Sequence, residues 1–363
     1  MAARSSSGKR KAPWLRVMGI LATLGLVAGF AELSPAGARW NAPVAQAQDE
    51  AATYEEELAK GQLLLRRHRF EEALKSFKRA NQLKDKQSAE SFIWMAQAYK
   101  GLEAYKNVIE SADKAIEFGG GDSKIGAQAY NLKGLALQAQ SENKNQKKLQ
   151  EAEAAFRQGV ALNANLIILH YNLGYVLMQQ NRDAEGAAEM QKYLALDSKS
   201  ESAELARKVI ENPRRAREPF APDFSVTTSE GEFIELADLK GKVVVLDFWG
   251  TWCPPCVASV PSLRSLHKRF SKDPAFVMIG ISVRDEDERW RAFIAENKMV
   301  WHQFRDKENQ VQRAFAINAF PTYLVIDHEG IIRYRNTGMS SEASLEDAIS
   351  KQLKRAAKTA PSD

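Results

Sequence analysis

Between residues 54 and 210 the chain contains no proline, and the same small and aromatic residues return about every 35 positions. A stretch this long, rich in Ala, Leu, Glu, Lys and Gln, is free to form helix after helix. Gly61, Phe70, Ala73, Phe77 and Ala80 are followed by Ala96, Tyr105, Val108, Ala112 and Ala115. A third unit carries Gly134, Ala152, Phe156 and Gly159, stretched by about six residues in the polar loop from Ser141 to Lys148. A fourth carries Gly174, Asp183, Gly186, Met190 and Tyr193. Small residues let two antiparallel helices approach and the aromatics fill the space between them.

This spacing resembles tetratricopeptide (TPR) repeats, with four units over 54–210 and a closing helix near Glu201 to Ile210. It departs from that family in ending no unit with proline and in placing Asp183 where an aromatic is expected. The resemblance implies a concave groove for protein or peptide ligands, with Asn172 and Tyr130 among its lining. Helix–helix packing is the alternative reading of each of these residues.

At Pro213 the pattern switches. Pro213, Arg214, Arg215, Arg217 and Pro219 read as a short stiff linker, residues 211–218, through which no helix continues. Phe224 to Thr227 and Phe233 to Leu236 flank a Ser229-Glu230-Gly231 turn as a hairpin. Lys242 to Phe248, Phe276 to Val283, Thr322 to Asp327 and Ile331 to Arg335 read as strands. Helices fit at Pro254 to Phe270, Glu286 to Asn297, Glu308 to Phe315 and Glu342 to Arg355. The expected fold is multidomain: an all-α TPR-like superhelix over 54–210, then an α/β domain over 219–357 with a mixed sheet covered on both faces.

The chain of 363 residues has a formal net charge of +5, but the excess sits at its start. Arg4, Lys9, Arg10, Lys11, Arg16 and Arg39 precede residue 48, where Glu32 is the only acid, so the rest carries 45 basic and 45 acidic residues. With no basic tract there is no electrostatic case for nucleic acid. The basic segment Met1 to Arg16, the fifteen uncharged residues Val17 to Ala31, and the Ala36-Gly37-Ala38 and Ala45-Gln46-Ala47 sites read as a signal peptide or N-terminal membrane anchor over 1–47. The apolar run is shorter than the about 20 residues a membrane span needs. Either form directs the bulk of the chain to the periplasm or the extracytoplasmic face of the inner membrane.

The chain has only two cysteines, in Trp249-Gly250-Thr251-Trp252-Cys253-Pro254-Pro255-Cys256, where a strand ends and a helix begins. No cysteine is left for a structural bridge, so the pair is a locked disulfide or a working one. Cys253 falls at the helix N-cap, where unpaired backbone N–H groups and the helix dipole favour the nucleophilic thiolate. Cys256, one turn on and more deeply placed, is suited to resolve a mixed disulfide by attacking Cys253. Pro254 at the first helical position sacrifices no hydrogen bond.

The segment "VVVLDFWGTWCPPC", Pro261 and "FPTYLVID" together resemble the thioredoxin superfamily, and more closely its TlpA and ResA-like branch, over about residues 219–357. The 68 residues from Cys253 to Pro321 exceed plain thioredoxin by roughly one helix–strand unit, placed at Glu286 to Phe304. The resemblance implies a cis bond before Pro321 that presents the backbone of Phe320 to an extended substrate. It implies a buried Asp247 with a raised pKa, accepting the Cys256 proton during resolution. Trp252 shields the sulfurs, and Pro254 and Pro255 complete the substrate-facing set. Client protein disulfides and a membrane thiol donor of the DsbD/CcdA kind are the implied partners, with no cofactor. Ser259 stands where many ResA-like proteins carry Glu, which leaves the client open and passes that group's duty to Asp247.

Competing chemistries lack their residues. His68, His170, His267, His302 and His328 are scattered without paired spacing for zinc. Haem attachment needs His where Val257 stands. A peroxidatic cysteine needs Pro and Thr where Leu246 and Gly250 precede Cys253. A four-residue disulfide loop stabilises little. Phe248 and Trp249 read as core. Two function classes stand: a disulfide-exchange enzyme whose repeats recruit partners, and a TPR scaffold whose thioredoxin-like fold is redox-passive.

Overall fold

The computed structural model describes residues 52–119, 121–142, 145–338 and 342–359, in two compact units that meet between Arg217 and Glu218. The segment 1–47, read as signal or anchor, lies outside the described residues. Among those described, no helix is long and apolar enough to cross a membrane.

The first unit is built of α1 (Tyr54–Arg66), α2 (Phe70–Gln82), α3 (Ala89–Gly101), α4 (Tyr105–Phe118), α5 (Ser123–Ser141), α6 (Gln146–Leu162), α7 (Ile168–Gln179), α8 (Asp183–Leu196) and α9 (Glu201–Glu211). Side-chain caps from Thr53, Ser88, Asp122, Asn145 and Ser200 start five of them by accepting orphan backbone N–H groups. The helices pack as pairs α1–α2, α3–α4, α5–α6 and α7–α8, while α3 touches α5 and α5 touches α7. That is the stacking of a TPR-like superhelix.

The repeating residues set the pair spacing. A Cβ on Gly134 would lie 2.5 Å from the Phe156 ring, and Gly61 meets Phe77 in the same way. Gly174 and Gly186 bring two backbones together, a Cβ on Gly174 falling 2.7 Å from the Gly186 carbonyl oxygen. Asp183, in the place of an aromatic, accepts the guanidinium of Arg217. Residues 213–217, expected as linker, therefore finish the helical unit: a 3-10 turn over Pro213–Ala216 buries Ala216, and the Tyr175 hydroxyl donates to the Arg215 carbonyl at 3.3 Å.

The second unit opens with the hairpin β1 (Ser225–Thr227) and β2 (Phe233–Glu235), and continues through β3 (Val243–Trp249), α10 (Pro254–Phe270), β4 (Phe276–Val283) and α11 (Asp287–Glu296). It closes with β5 (His302–Asp306), α12 (Gln310–Ala314), β6 (Thr322–Ile326), β7 (Ile332–Thr337) and α13 (Glu342–Thr359). The main sheet has the order β5-β4-β3-β6-β7, with β3, β4 and β5 parallel and β6 and β7 antiparallel to their neighbours. α11 and β5 form the helix–strand unit expected in the longer interval, and β5 takes the parallel edge of the sheet.

Alternation along the strands splits two cores. Val243, Val245 and Trp249 face α10 and α13, and share that core with Cys253 and Cys256. Val244, Leu246 and Phe248 face the hairpin and α12. Every residue of β3 and β4 is buried, as strands covered on both faces require.

Candidate active site

The turn from β3 to α10 is held in place by β4. The Thr251 N–H lies 3.0 Å and 3.2 Å from the two carboxylate oxygens of Asp285, the Thr251 hydroxyl donates to the same group at 2.5 Å, and so does the Ser282 hydroxyl. Gly250 leaves room for the indole of Trp252, which a Cβ there would meet at 2.5 Å. That indole donates to the Val283 carbonyl at 2.8 Å and stands edge-on to Phe320, ring centroids 5.3 Å apart. Trp252 remains 39% exposed.

Cys253 is the N-cap of α10 and is bonded to Cys256, with Cα atoms 5.3 Å apart. Pro254 and Pro255 have no N–H, so the first helical donor is Cys256, whose N–H points to the Cys253 sulfur at 3.3 Å. One donor and the helix dipole thus favour charge on that sulfur. Both cysteines are buried, Cys256 slightly more deeply. The peptide bond between Phe320 and Pro321 is cis, immediately before β6. Phe320 packs beside the cysteines' core while Pro321 is buried.

Asp247 sits mid-strand on β3, on the face that carries Val245 and Trp249, and so on the disulfide side of the sheet. It is 1% exposed, and desolvation pushes its carboxyl up to about 8. Across the antiparallel pair it stands opposite Tyr323. Burial raises the Tyr323 phenol, the Asp247 charge raises it further, and the Ser259 hydroxyl works the other way. Ser259 also donates to the Pro255 carbonyl at 2.9 Å. Tyr323 therefore links Asp247 to the position where the sequence departs from the ResA-like pattern.

Cys253, Cys256, Trp252, Pro254 and Pro255 lie where β3 gives way to α10, Phe320 and Pro321 stand just before β6 with the Phe320 ring against Trp252, and Asp247 lies two residues inside the end of β3. Sequence reasoning missed Asp285, Thr251 and Tyr323. Of these, only Tyr323 had a signal, its place two residues beyond Pro321 and in phase with the disulfide face. A cavity of about 280 Å³ lies beside Trp252, lined also by Arg284, Asp285, Glu286 and Arg289.

The model of the AhpC/TSA family matches residues 219–335. A thiol-disulfide oxidoreductase ResA of Bacillus cereus is 29% identical over 166 residues, covering 46% of this chain and 88% of its own length. The ResA of Bacillus anthracis is 32% identical over 131 residues, covering 36% of this chain and 75% of its own. The thioredoxin-like protein YneN of Bacillus subtilis is 31% identical over 130 residues, covering 36% and 76%.

Proposed function

The chain belongs to the ResA-type family of thiol-disulfide oxidoreductases, and from that premise we propose that it reduces disulfides of extracytoplasmic client proteins through Cys253 and Cys256. In the reduced protein the Cys253 thiolate attacks one sulfur of a client disulfide. A mixed disulfide forms, and the other client sulfur leaves as a thiolate that takes a proton from solvent. Asp247 then accepts the Cys256 proton, and the Cys256 thiolate attacks the Cys253 sulfur. The second client thiolate leaves, so the client gains two electrons and the protein is left with the Cys253–Cys256 disulfide. A membrane thiol donor of the DsbD/CcdA kind returns the pair to dithiol. Export is supported by the basic-then-apolar order of residues 1–47.

The single observation that carries the reducing direction is the Pro254-Pro255 pair. It leaves one helical N–H, that of Cys256 at 3.3 Å, to stabilise the Cys253 thiolate. Strong oxidants of this chemistry stabilise the thiolate most, so weak stabilisation supports a reducing poise. The test is redox equilibrium with glutathione, read beside the oxidation state in cells. A reducing potential with dithiol in cells supports the direction; a potential like that of strong periplasmic oxidants, with disulfide in cells, reverses it.

The helical repeats serve in this reading to recruit clients or partners. Between α5 and α7 Asn172 donates to Asn131 and Gln138 to Gln179, both at 2.8 Å; Asn172 and Gln179 are buried, and the half-buried Asn131 and Gln138 are the members of these pairs that a peptide backbone would meet. Tyr130 is part-buried on α5.

A further inference from the structure

One row of residues crosses the sheet beneath the disulfide. Gln303 on β5 is in register with Gly280 on β4, Gly280 with Asp247 on β3, and Asp247 with Tyr323 on β6. Residues in register present their side chains to the same face. For this row it is the face of Met278, Trp301, Val245 and the two cysteines.

Gly280 has no side chain, and the amide of Gln303 fills the space. A Cβ on Gly280 would meet the Gln303 Oε1, and would lie 3.0 Å from both its Cδ and its Nε2. The amide thus stands one strand spacing, about 5 Å, from the Asp247 Cβ. Gln303 is 0% exposed, and neither end of its amide has a hydrogen-bond partner among the described residues; the same is true of Asp247 Oδ1. A buried amide with both ends unpaired is costly unless it serves a charge that appears during the reaction.

We propose that Gln303 is a positioning residue for Asp247, its amide held over Gly280 so that its N–H stabilises the carboxylate whenever Asp247 is ionised. The proposal rests on the reading of Asp247 as the proton acceptor for Cys256. A base buried in apolar surroundings holds its proton too firmly to accept another at neutral pH. A neutral donor beside it brings the titration back toward the working range without adding a charge. The other titratable groups on this face are Cys253 and Cys256 at the start of α10, His267 toward its end, whose ring lies against Phe276 and Trp301, Tyr323 on β6 and, beyond it, Tyr334 on β7. α11 and α13 present Trp290, Leu345, Ile349 and Leu353, none ionisable.

The experiment uses the full chain carrying a thionitrobenzoate mixed disulfide on Cys253, and follows thionitrobenzoate release from pH 5 to pH 9 as Cys256 closes the ring. Gln303→Met keeps the volume and removes the amide. Its profile should shift upward by about one pH unit, with release at pH 7 slowed about tenfold. Gly280→Ala, which displaces the amide, should shift it the same way. Should that variant fail to fold, Gln303→Met stands alone. In an Asp247→Asn background Gln303→Met should change nothing. If Asp247→Asn leaves the wild-type profile intact, the reading of Asp247 fails, and this proposal with it. If Asp247→Asn alters the profile but Gln303→Met does not, only the role of Gln303 is overturned.

Discussion

Thr251 and Asp285 are thirty-four residues apart in sequence, and the Asp285 carboxylate accepts both the backbone N–H and the hydroxyl of Thr251. One buried acid just beyond β4 thereby holds the residue two places before Cys253. Asp285→Ala leaves that N–H and the hydroxyls of Thr251 and Ser282 without their acceptor. Stability should fall by about 1–3 kcal/mol, the usual penalty for orphaned buried donors. Disulfide exchange should slow several-fold as the turn loses its geometry. Urea unfolding and the rate with a small aromatic disulfide measure the two effects; a full rate in the destabilised variant would show that Asp285 supports the fold alone.

Asp247 makes stability fall with rising pH. Its carboxyl titrates at about 8 in the folded protein, against about 3.9 in an unfolded chain. Between those values the folded state holds the proton and the unfolded state does not, so unfolding releases a proton and becomes easier as pH rises. The penalty is absent below the lower value and complete above the upper one. Asp247→Asn should match the wild type near pH 4 and exceed it by a few kcal/mol above pH 8, while resolving mixed disulfides more slowly. Parallel pH–stability curves for the two proteins would contradict the assignment.

Attack should begin at Cys253. After mild reduction at neutral pH an alkylating agent should label Cys253 before Cys256, and Cys256→Ser should accumulate mixed disulfides with clients. Peptide mapping reads the first outcome and non-reducing electrophoresis the second. Preferential labelling of Cys256 would invert the roles.

In the helical unit, Gly134→Ala should destabilise despite alanine's better helix propensity, worth about 1 kcal/mol. The new methyl falls 2.5 Å from the Phe156 ring, and overpacking of this kind costs about 1–3 kcal/mol. Phe156→Leu in the same chain should recover part of the loss. Thermal melts of the two variants decide it.

A fragment beginning at Glu218 should fold and exchange a small disulfide, yet lose activity toward a physiological partner. Arg333 donates to Glu218 at 2.8 Å, and Ile332 to the Pro219 carbonyl at 2.9 Å. Beginning instead at Asp223 should lower the melting temperature. An insoluble Glu218 fragment would mean that the helical unit completes the redox domain.

The helical pairs were legible because Gly61 with Phe77, and Gly134 with Phe156, are small-to-large partners within one repeat, and the spacing itself carries the contact. Phe248 and Trp249 were legible as core because β3 is an unbroken apolar run apart from Asp247. Asp285 was not. It opens the run Asp285-Glu286-Asp287-Glu288, in which Glu286 is exposed, and its partners Thr251 and Ser282 meet it only in the fold. Gln303 was hidden for a related reason. A polar residue in the edge strand His302–Asp306 reads as solvent-facing, and its burial depends on a side chain that Gly280, twenty-three residues earlier, does not have. Both are tertiary facts with no local pattern.

The run from Val243 to Trp249, wholly interior once folded, has another life before folding. Val-Val-Val-Leu-Asp-Phe-Trp is a strongly β-forming segment, of the kind that self-associates when exposed. Asp247 is its only polar residue, and in the extended chain it is ionised at neutral pH. The same carboxyl is thus a charge in the nascent polypeptide, where it guards the segment against aggregation, and mostly a neutral acid in the finished sheet.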